Sequence, residues 1–464
     1  MGAELRGAAG SERLRRRLVM RGTLLVSHSG IRMAVVTTRA ADKRPPNTWS
    51  PRRWPWHRRL LAALAILGPG LIAGAAGDDA GGIATYAAVG AQYGYSLLWA
   101  LVVITVSLVV VQLQVARLGV VTGRGLAELI REQFGVAWTA LAMLVLLIAN
   151  GAVTIAEFAG IAAAGELFGI PRLVSVPLSA VVVWLIVVRA TYSIAEKIFL
   201  VLSAALLTYV GAAFLGHPDW GQAALASVTP TLSLDAGYLN TLITLVGTTI
   251  TPYMLFYLQS SISDKGVPLS DYPAERTDVV VGSVLSDLIA AFIVICTAAT
   301  LFVAGIQVGT ADDAARALEP LAGPYARILF AVGLFGASML AASVLPLSTA
   351  YAICGAFGWE RGVSYSWSEA PVFNVLYSVM IAIAALFVLI PGLPLIQVIL
   401  ATQTLNGILL PVVLIFLVRL ANDRDLLGEH TNGRVYNVLA YGTTVVLIVL
   451  TAALLLASVT GFGS

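Results

Sequence analysis

The sequence predicts an all-α protein that crosses a membrane many times and whose first and sixth spans are broken helices. Hydrophobic residues make up 58% of the chain and charged residues only 11%, which is far from the usage of soluble proteins. Apolar runs long enough to cross a hydrocarbon core of ~30 Å recur along the chain. Two of these runs contain residues that interrupt a helix, around Asp79 and Pro252. Together these features predict a polytopic helical bundle.

Hydropathy predicts eleven spans within one transmembrane domain, residues 61–460. An odd number places the two termini on opposite sides. Lys and Arg are concentrated in the loops on the side of the N-terminal tail, and the opposite loop, 216–237, has neither. The positive-inside rule therefore predicts a cytoplasmic N-terminus and an outside C-terminus in the plasma (inner) membrane. The predicted spans are 62–88, 95–118, 137–168, 173–189, 194–215, 238–262, 279–305, 325–357, 372–391, 394–420 and 435–459.

Residues 1–60 differ in composition from the rest, because they hold 14 Lys and Arg residues and few long apolar runs. We expect a disordered cytoplasmic tail, with adhesion to anionic lipid as the alternative. This basic segment gives no indication of nucleic-acid binding. The sequence indicates contact with the lipid bilayer but no obligate protein partner.

The few cysteines and histidines argue against a soft-metal cage and against an intramembrane enzyme. Cys296 and Cys354 lie in apolar spans and are expected to pack there as small residues. All four histidines lie in the tail or in loops, so none is available at mid-membrane depth as a ligand, base or proton relay. We therefore expect no enzymatic activity and no resident cofactor.

The first break carries two adjacent carboxylates, Asp78 and Asp79, inside a glycine-rich stretch from Gly68 to Gly82. An Asp at bilayer depth costs roughly 2.5 to 3.5 kcal/mol on insertion scales. Unwound backbone persists at that depth only where it lines a cavity. The segment therefore predicts an ion or substrate site.

The second break lies at Thr251 and Pro252 in span six. Pro252 cannot donate the helical hydrogen bond, and its ring disfavours helix at the residue before it. Spans one and six are corresponding members of two five-span halves. Broken helices at matching positions are typical of an inverted-repeat transporter with a site near the membrane midplane.

Three sequence motifs of this chain resemble those of the natural resistance-associated macrophage protein (NRAMP) family of divalent metal transporters. They are Gly90–Trp99, Ala116–Arg124 and Ala401–Gln403. The resemblance implies a LeuT-type fold of two inverted five-helix repeats, with broken helices 1 and 6, plus an eleventh helix.

The resemblance also implies a metal site with altered ligands. The metal-binding Asp of the family is kept as Asp79, its Asn ligand falls on Gly82, and its Met ligand falls on Thr251. Its carbonyl donor falls on Thr248 and its glutamine on Gln403.

Further residues complete the predicted site. Asn406 lies one helical turn beyond Gln403, Asp78 adds a second acid, and Tyr253 stands where the family has a histidine. Gln403 and Asn406 have the alternative of plain hydrogen bonds between helices. Tyr253, Asn406, Glu157 and Asp287 are further candidates for gating or for the ion path, and Glu157 and Asp287 have the alternative of buried structural hydrogen bonds.

Loss of a thioether and an amide leaves an oxygen-only pocket, which favours a hard cation that keeps several waters. We therefore expect transport of Mg²⁺, and also of Mn²⁺, by alternating access, as in the divergent NRAMP-related magnesium transporters. Met254, three residues past Thr251, keeps a sulfur ligand open as an alternative.

Proton coupling is predicted to be lost. Glu157 matches the glutamate of the family, but the aligned acidic positions fall near Ala164 and Leu167, and span nine contains no Arg. Glu166 has two interpretations: it replaces a missing acidic residue of the proton route, or it is a solvated residue. Two charges moving inward gain ~4.6 kcal/mol at 100 mV, at about 2.3 per charge. The alternatives are a proton-coupled Mn²⁺/Fe²⁺ symporter of the NRAMP type and, more remotely, a sodium-coupled carrier of organic solutes with the same fold.

Overall fold

The computed structural model describes residues 79–188, 204–363 and 365–460. The predicted tail, residues 1–60, lies outside the described residues, as do Asp78, the first part of span one, the last residue of span four and residues 194–203 of span five.

The described residues form α-helices joined by short turns, with no strand among them. We number the helices α1 to α16 in chain order. They are α1 Ala80–Tyr93, α2 Leu98–Thr122, α3 Leu126–Leu167, α4 Arg172–Val188, α5 Thr208–Leu215, α6 Trp220–Val228, α7 Ala236–Thr249, α8 Pro252–Lys265, α9 Tyr272–Thr297, α10 Ala311–Arg316, α11 Glu319–Ala322, α12 Ala326–Phe357, α13 Pro371–Val388, α14 Leu395–Ala421, α15 Arg424–Leu427 and α16 Arg434–Thr460.

Several of the predicted spans match helices of the described residues closely. Within the described residues eight helical segments are long and apolar enough to cross a membrane, and α4 is a shorter apolar helix. Spans eight and ten, predicted at 325–357 and 394–420, are α12 and α14. The all-α polytopic prediction is thereby confirmed, and the chain is an integral membrane protein.

The interruption in span six is present where it was predicted. Helix α7 ends at Thr249, and α8 begins at Pro252 with Thr251 in extended conformation before it. Proline at the first helical position is favoured there, because its missing N–H would be unpaired anyway. In the described part of span one, α1 begins at Ala80 with Asp79 in extended conformation before it.

Helix α3 forms the centre of the bundle. It packs along α12 and α14, while α7 packs on α14 and α9 packs on α1 and α2. Gly135, with a φ of 78°, bends α3. The part from Val136 onward is the predicted third span, and the part before it is an extension that hydropathy did not reveal.

We call the face that contains Gly123 the inner face and the one that contains His217 the outer face, following the predicted orientation. At the inner face, the side chains of Gln259 and Ser263 in α8 donate to the backbone carbonyls of Arg124 and Gly123, at 3.0 and 2.6 Å. These bonds hold the second half of span six to the turn between α2 and α3.

Candidate cation site

Asp79 caps the N-terminus of α1. Its Oδ1 accepts a hydrogen bond from the backbone N–H of Gly82 at 2.8 Å, and its side chain is buried. A short acidic side chain in this position pairs one of the free amides of the first helical turn. Gly82, where the resemblance places an amide ligand, thus contributes its backbone N–H to the orientation of Asp79.

Glu157 of α3 meets the same helix end. Its Oε2 accepts from the backbone N–H of Ala80 at 3.3 Å, so the Glu157 and Asp79 carboxyl groups both accept from amides in the first turn of α1. Its Oε1 is buried without a hydrogen-bond partner among the described residues. The two carboxyl groups therefore share the positive end of the α1 dipole.

Gln403 of α14 lies directly over Gly81. A Cβ added at Gly81 would stand 1.8 Å from Gln403 Nε2 and 3.1 Å from Asp79 Oδ1. The Gln403 side chain is fully buried, and neither of its amide atoms has a hydrogen-bond partner in the described part of the chain. An unsatisfied buried amide costs about 1–3 kcal/mol, so this carboxamide is well placed to coordinate a ligand beside Asp79.

The second half of span six begins at the same place. Thr251, the N-cap residue of α8, is buried and its Oγ1 makes no well-formed hydrogen bond with any described residue. Tyr253 interacts with Thr251 and, electrostatically, with Asp79 and Glu157. Tyr253, in the first turn of α8, therefore lies near the two carboxyl groups at the start of α1.

Thr248 lies in the last turn of α7, and Asn406 of α14 contacts the same turn. The hydroxyl of Thr248 forms a 3.0 Å hydrogen bond with the hydroxyl of Thr85 in α1. The backbone carbonyl of Thr248 has no helical donor, because the residue four positions further along the chain is Pro252, which lacks an N–H. The Asn406 Nδ2 donates to the carbonyl of Gly247 at 3.0 Å, so this amide joins α14 to α7.

Three other candidate residues make contacts of a different kind. Asp287 of α9 is buried and interacts with the side chain of Thr105 in α2. Glu166 pairs with Arg172 at 3.1 Å at the outer face. Met254 packs with Val153 and neighbouring apolar side chains.

Ser338 is a residue near the site that the sequence did not suggest. A Cβ added at Gly160 of α3 would stand 2.4 Å from Ser338 Oγ and 2.5 Å from the Cβ of Ala80. Ser338 Oγ is fully buried and has no partner among the described residues. It therefore adds a free hydroxyl beside the start of α1, on the α12 side.

An outer cavity of about 530 Å³ approaches this region. It is lined by Ala163, one to two helical turns beyond Glu157, and by the ion-paired residues Glu166, Arg172, Asp312 and Arg327. Helix α10 packs against α1 and α3 next to it. The cavity therefore lies at the outer face, on the outward side of Glu157.

The donor set consists of oxygen and amide groups. No three His, Cys, Asp or Glu side chains come together anywhere in the described ranges. Two carboxyl groups, two hydroxyls, one carboxamide and a free carbonyl suit a hard cation that retains part of its water, rather than a fully dehydrated ion in a carboxylate cage.

Comparison with known proteins shows which family the chain belongs to. The model of the Nramp family, natural resistance-associated macrophage protein-like, matches residues 70–457. A divalent metal cation transporter MntH from Granulibacter bethesdensis is 27% identical over 413 residues, covering 86% of this chain and 89% of that protein. One from Burkholderia ambifaria is 28% identical over 449 residues, covering 93% and 98%.

The fold has a solved counterpart. The crystal structure of a manganese transporter from Eremococcus coleocola, at 21% identity, superposes with a TM-score of 0.71 and covers 89% of this chain and 91% of that one. The LeuT-type architecture that the resemblance implies is thereby confirmed, as is the resemblance drawn from the motifs. The chain belongs to the natural resistance-associated macrophage protein-like (Nramp) family of membrane transporters.

Proposed function

We propose that this protein transports a divalent metal cation by alternating access, and that it accepts Mg²⁺ as well as Mn²⁺ in partly hydrated form. The observation that carries the proposal is the convergence of Asp79, Glu157, Gln403 and Thr251 at two helix breaks, with several buried oxygens that lack hydrogen-bond partners within the described residues. The named relatives carry divalent metal or manganese, which supports the class of substrate.

The preference for Mg²⁺ rests on the ligand chemistry. Mg²⁺ dehydrates reluctantly and binds through one or two carboxylates plus retained waters, whereas softer ions gain more from sulfur. The sulfur near the site belongs to Met254, whose side chain packs among Val153, Ala341 and Leu345. The remaining donors are oxygens and one amide, which favours the harder ion.

Membrane potential alone is the proposed driving force. The predicted route for protons lacks its usual residues, because Tyr253 replaces a histidine and α13 contains no Arg. Inward movement of a divalent ion gains ~4.6 kcal/mol at 100 mV, at about 2.3 per charge.

A second candidate is proton-coupled symport of Mn²⁺ or Fe²⁺. One observation favours it: the buried Asp79 and Glu157 carboxyl groups both accept from backbone amides in the first turn of α1. Two carboxylates that share a buried site repel each other, and binding of a proton or of a cation relieves this repulsion. This pair is therefore a place where a proton and a metal ion compete.

Proteoliposomes loaded with a Mg²⁺-sensitive dye, with parallel vesicles holding a pH dye, test the proposal. We expect Mg²⁺ and Mn²⁺ both to enter, faster under a negative-inside potential, and without matching acidification. Asp79→Ala should abolish uptake. Entry of Mn²⁺ with protons, without entry of Mg²⁺, would establish the second candidate instead.

A further inference from the structure

A small apolar cluster lies on the inner side of the candidate site. It is separate from the main core and joins three helices, α3, α8 and α12. All of its side chains are buried. Its members are Val153, Tyr253, Met254, Ala341 and Leu345. We call this group the plug.

The position of the plug follows from the helices that carry it. Val153 precedes Glu157 by one turn of α3, and Ala341 and Leu345 follow Ser338 by one and two turns of α12. Since α3 runs from the inner to the outer face and α12 runs in the opposite direction, all three lie inward of the site. Tyr253 and Met254 enter from the first turn of α8.

Beyond the plug lies a polar pair. The Nδ2 of Asn150 in α3 donates to the Oγ1 of Thr349 in α12 at 2.6 Å, and both side chains are buried. The Thr349 hydroxyl in turn donates to the carbonyl of Leu345 at 2.8 Å. The Oδ1 of Asn150 has no hydrogen-bond partner among the described residues. It lies about 10 Å inward of Glu157, two helical turns along α3.

We propose that Asn150 and Thr349 form a second polar station for the transported cation, on the inner route between α3 and α12, which the plug closes in this conformation. This proposal rests on the proposed function. Passage of the ion requires α8 to separate from α3 and α12, which withdraws Tyr253 and Met254 from the plug. The amide oxygen of Asn150 is then the next hard donor that the ion meets.

The chemistry of the pair suits a transit station. An uncharged amide oxygen and a hydroxyl attract a hydrated cation more weakly than the Asp79 and Glu157 carboxyl groups do. Conduction requires binding that is favourable enough to receive the ion and weak enough to release it. The Oδ1 of Asn150, between the otherwise apolar faces of α3 and α12, meets that requirement. The hydrogen bond between Asn150 and Thr349 uses only the Nδ2 of the amide and leaves this oxygen without a partner among the described residues.

The test compares Asn150→Leu and Thr349→Val with the wild type in two measurements. Mn²⁺ uptake into proteoliposomes under a fixed potential reports transport, and calorimetric titration of the purified protein with Mn²⁺ reports binding at Asp79. We expect uptake to fall at least fivefold in both variants while the Kd stays within twofold. An unchanged Kd also shows that the variant is folded, and Thr349→Val is the nearly isosteric choice if Asn150→Leu does not fold.

Gln114→Leu is the matched control. Gln114 of α2 is as buried as Asn150, and neither of its amide atoms has a hydrogen-bond partner among the described residues. It lies on α2 and therefore does not belong to the route between α3 and α12. We expect wild-type uptake from this variant. Wild-type uptake by Asn150→Leu and Thr349→Val would overturn the station while leaving the proposed function intact, and slow uptake by Gln114→Leu would overturn it as well. A wild-type protein that neither binds nor takes up Mn²⁺ would overturn the proposed function.

Discussion

Gly81→Ala is expected to weaken cation binding by displacing Gln403. The added Cβ would stand 1.8 Å from Gln403 Nε2 and 2.6 Å from its Cδ, distances that no Cβ contact tolerates. Because the amide is the far end of a flexible side chain, it moves away before the backbone of α1 does. The substitution therefore displaces Gln403 from Asp79 while both residues keep their native side chains.

The size of the effect follows from the lost contact. A hydrogen-bonding group that interacts with a charge is worth about 1.5–3 kcal/mol, which corresponds to a ~10- to 150-fold increase in Kd. Ala favours a helix over Gly by ~1 kcal/mol, so the thermal stability of the variant should change little. Gln403→Ala removes the same amide, and the double variant should bind no more weakly than either single one.

Calorimetric titration of the purified variants with Mg²⁺ and Mn²⁺ measures these affinities. Gly151→Ala in α3 is the control, since an added Cβ there meets nothing within 4 Å. A Gly81→Ala protein that binds within twofold of the wild type would refute the reasoning. Additive losses in the double variant would refute it too, because they would mean that Gly81 and Gln403 act independently.

Three further outcomes are expected. Gly247→Ala should lower stability by about 3 kcal/mol, because its Cβ would lie 2.2 and 2.3 Å from backbone atoms of α14; an unchanged Tm in detergent would contradict this. Thr251→Met should shift the ratio of Mg²⁺ to Mn²⁺ affinity at least tenfold toward Mn²⁺, as measured by titration, since it adds sulfur without removing a capping bond; an unaltered ratio would exclude Thr251 from the ligand set. Glu128 and Arg361 form an ion pair at 2.5 Å at the inner face. A double-mutant cycle of thermal unfolding should show a coupling free energy of about 1 kcal/mol between them, and 1 M salt should largely remove it. A coupling free energy that does not change with salt would indicate a packing effect instead.

The transmembrane architecture was predictable because lipid leaves few options. A span must be long, apolar and internally hydrogen-bonded, so hydropathy located α12 and α14 to within one or two residues. The break before Pro252 was predictable for the same reason, since no other residue type both removes a donor and obstructs the preceding helix.

Surface elements escaped prediction. The inner extension of α3 before Gly135 contains Glu128, Arg131 and Glu132, so it lacks the apolar run that hydropathy requires. The short outer helices α6 and α10 are held by the capping side chains of Asp219 and Thr310. Such helices depend on a few hydrogen bonds at their ends, which carry little signal in composition.

The site was predictable in part. Asp79 and Thr251 stand at the breaks themselves, so the residues alone indicated them, whereas Gln403 depended on the family resemblance. The contact of Glu157 with the amide of Ala80 joins residues that are far apart in sequence, and no local pattern encodes it. Ser338 was missed because a small residue in an apolar span is ordinarily a packing residue.

The helix ends decide how much the site depends on its carboxyl groups. The N-termini of α1 and α8 and the C-terminus of α7 all lie at the site. Each N-terminus carries about half a positive charge, and the C-terminus carries about half a negative charge. These ends together contribute a charge of about +0.5, so one carboxylate leaves the site at about −0.5 and two leave it at about −1.5. A divalent ion therefore gains much more when Asp79 and Glu157 are both ionised, and a proton on the pair competes directly with the ion. Competition of this kind sets the affinity at equilibrium whether or not a proton crosses the membrane, which is why uptake of metal and movement of protons must be measured in parallel.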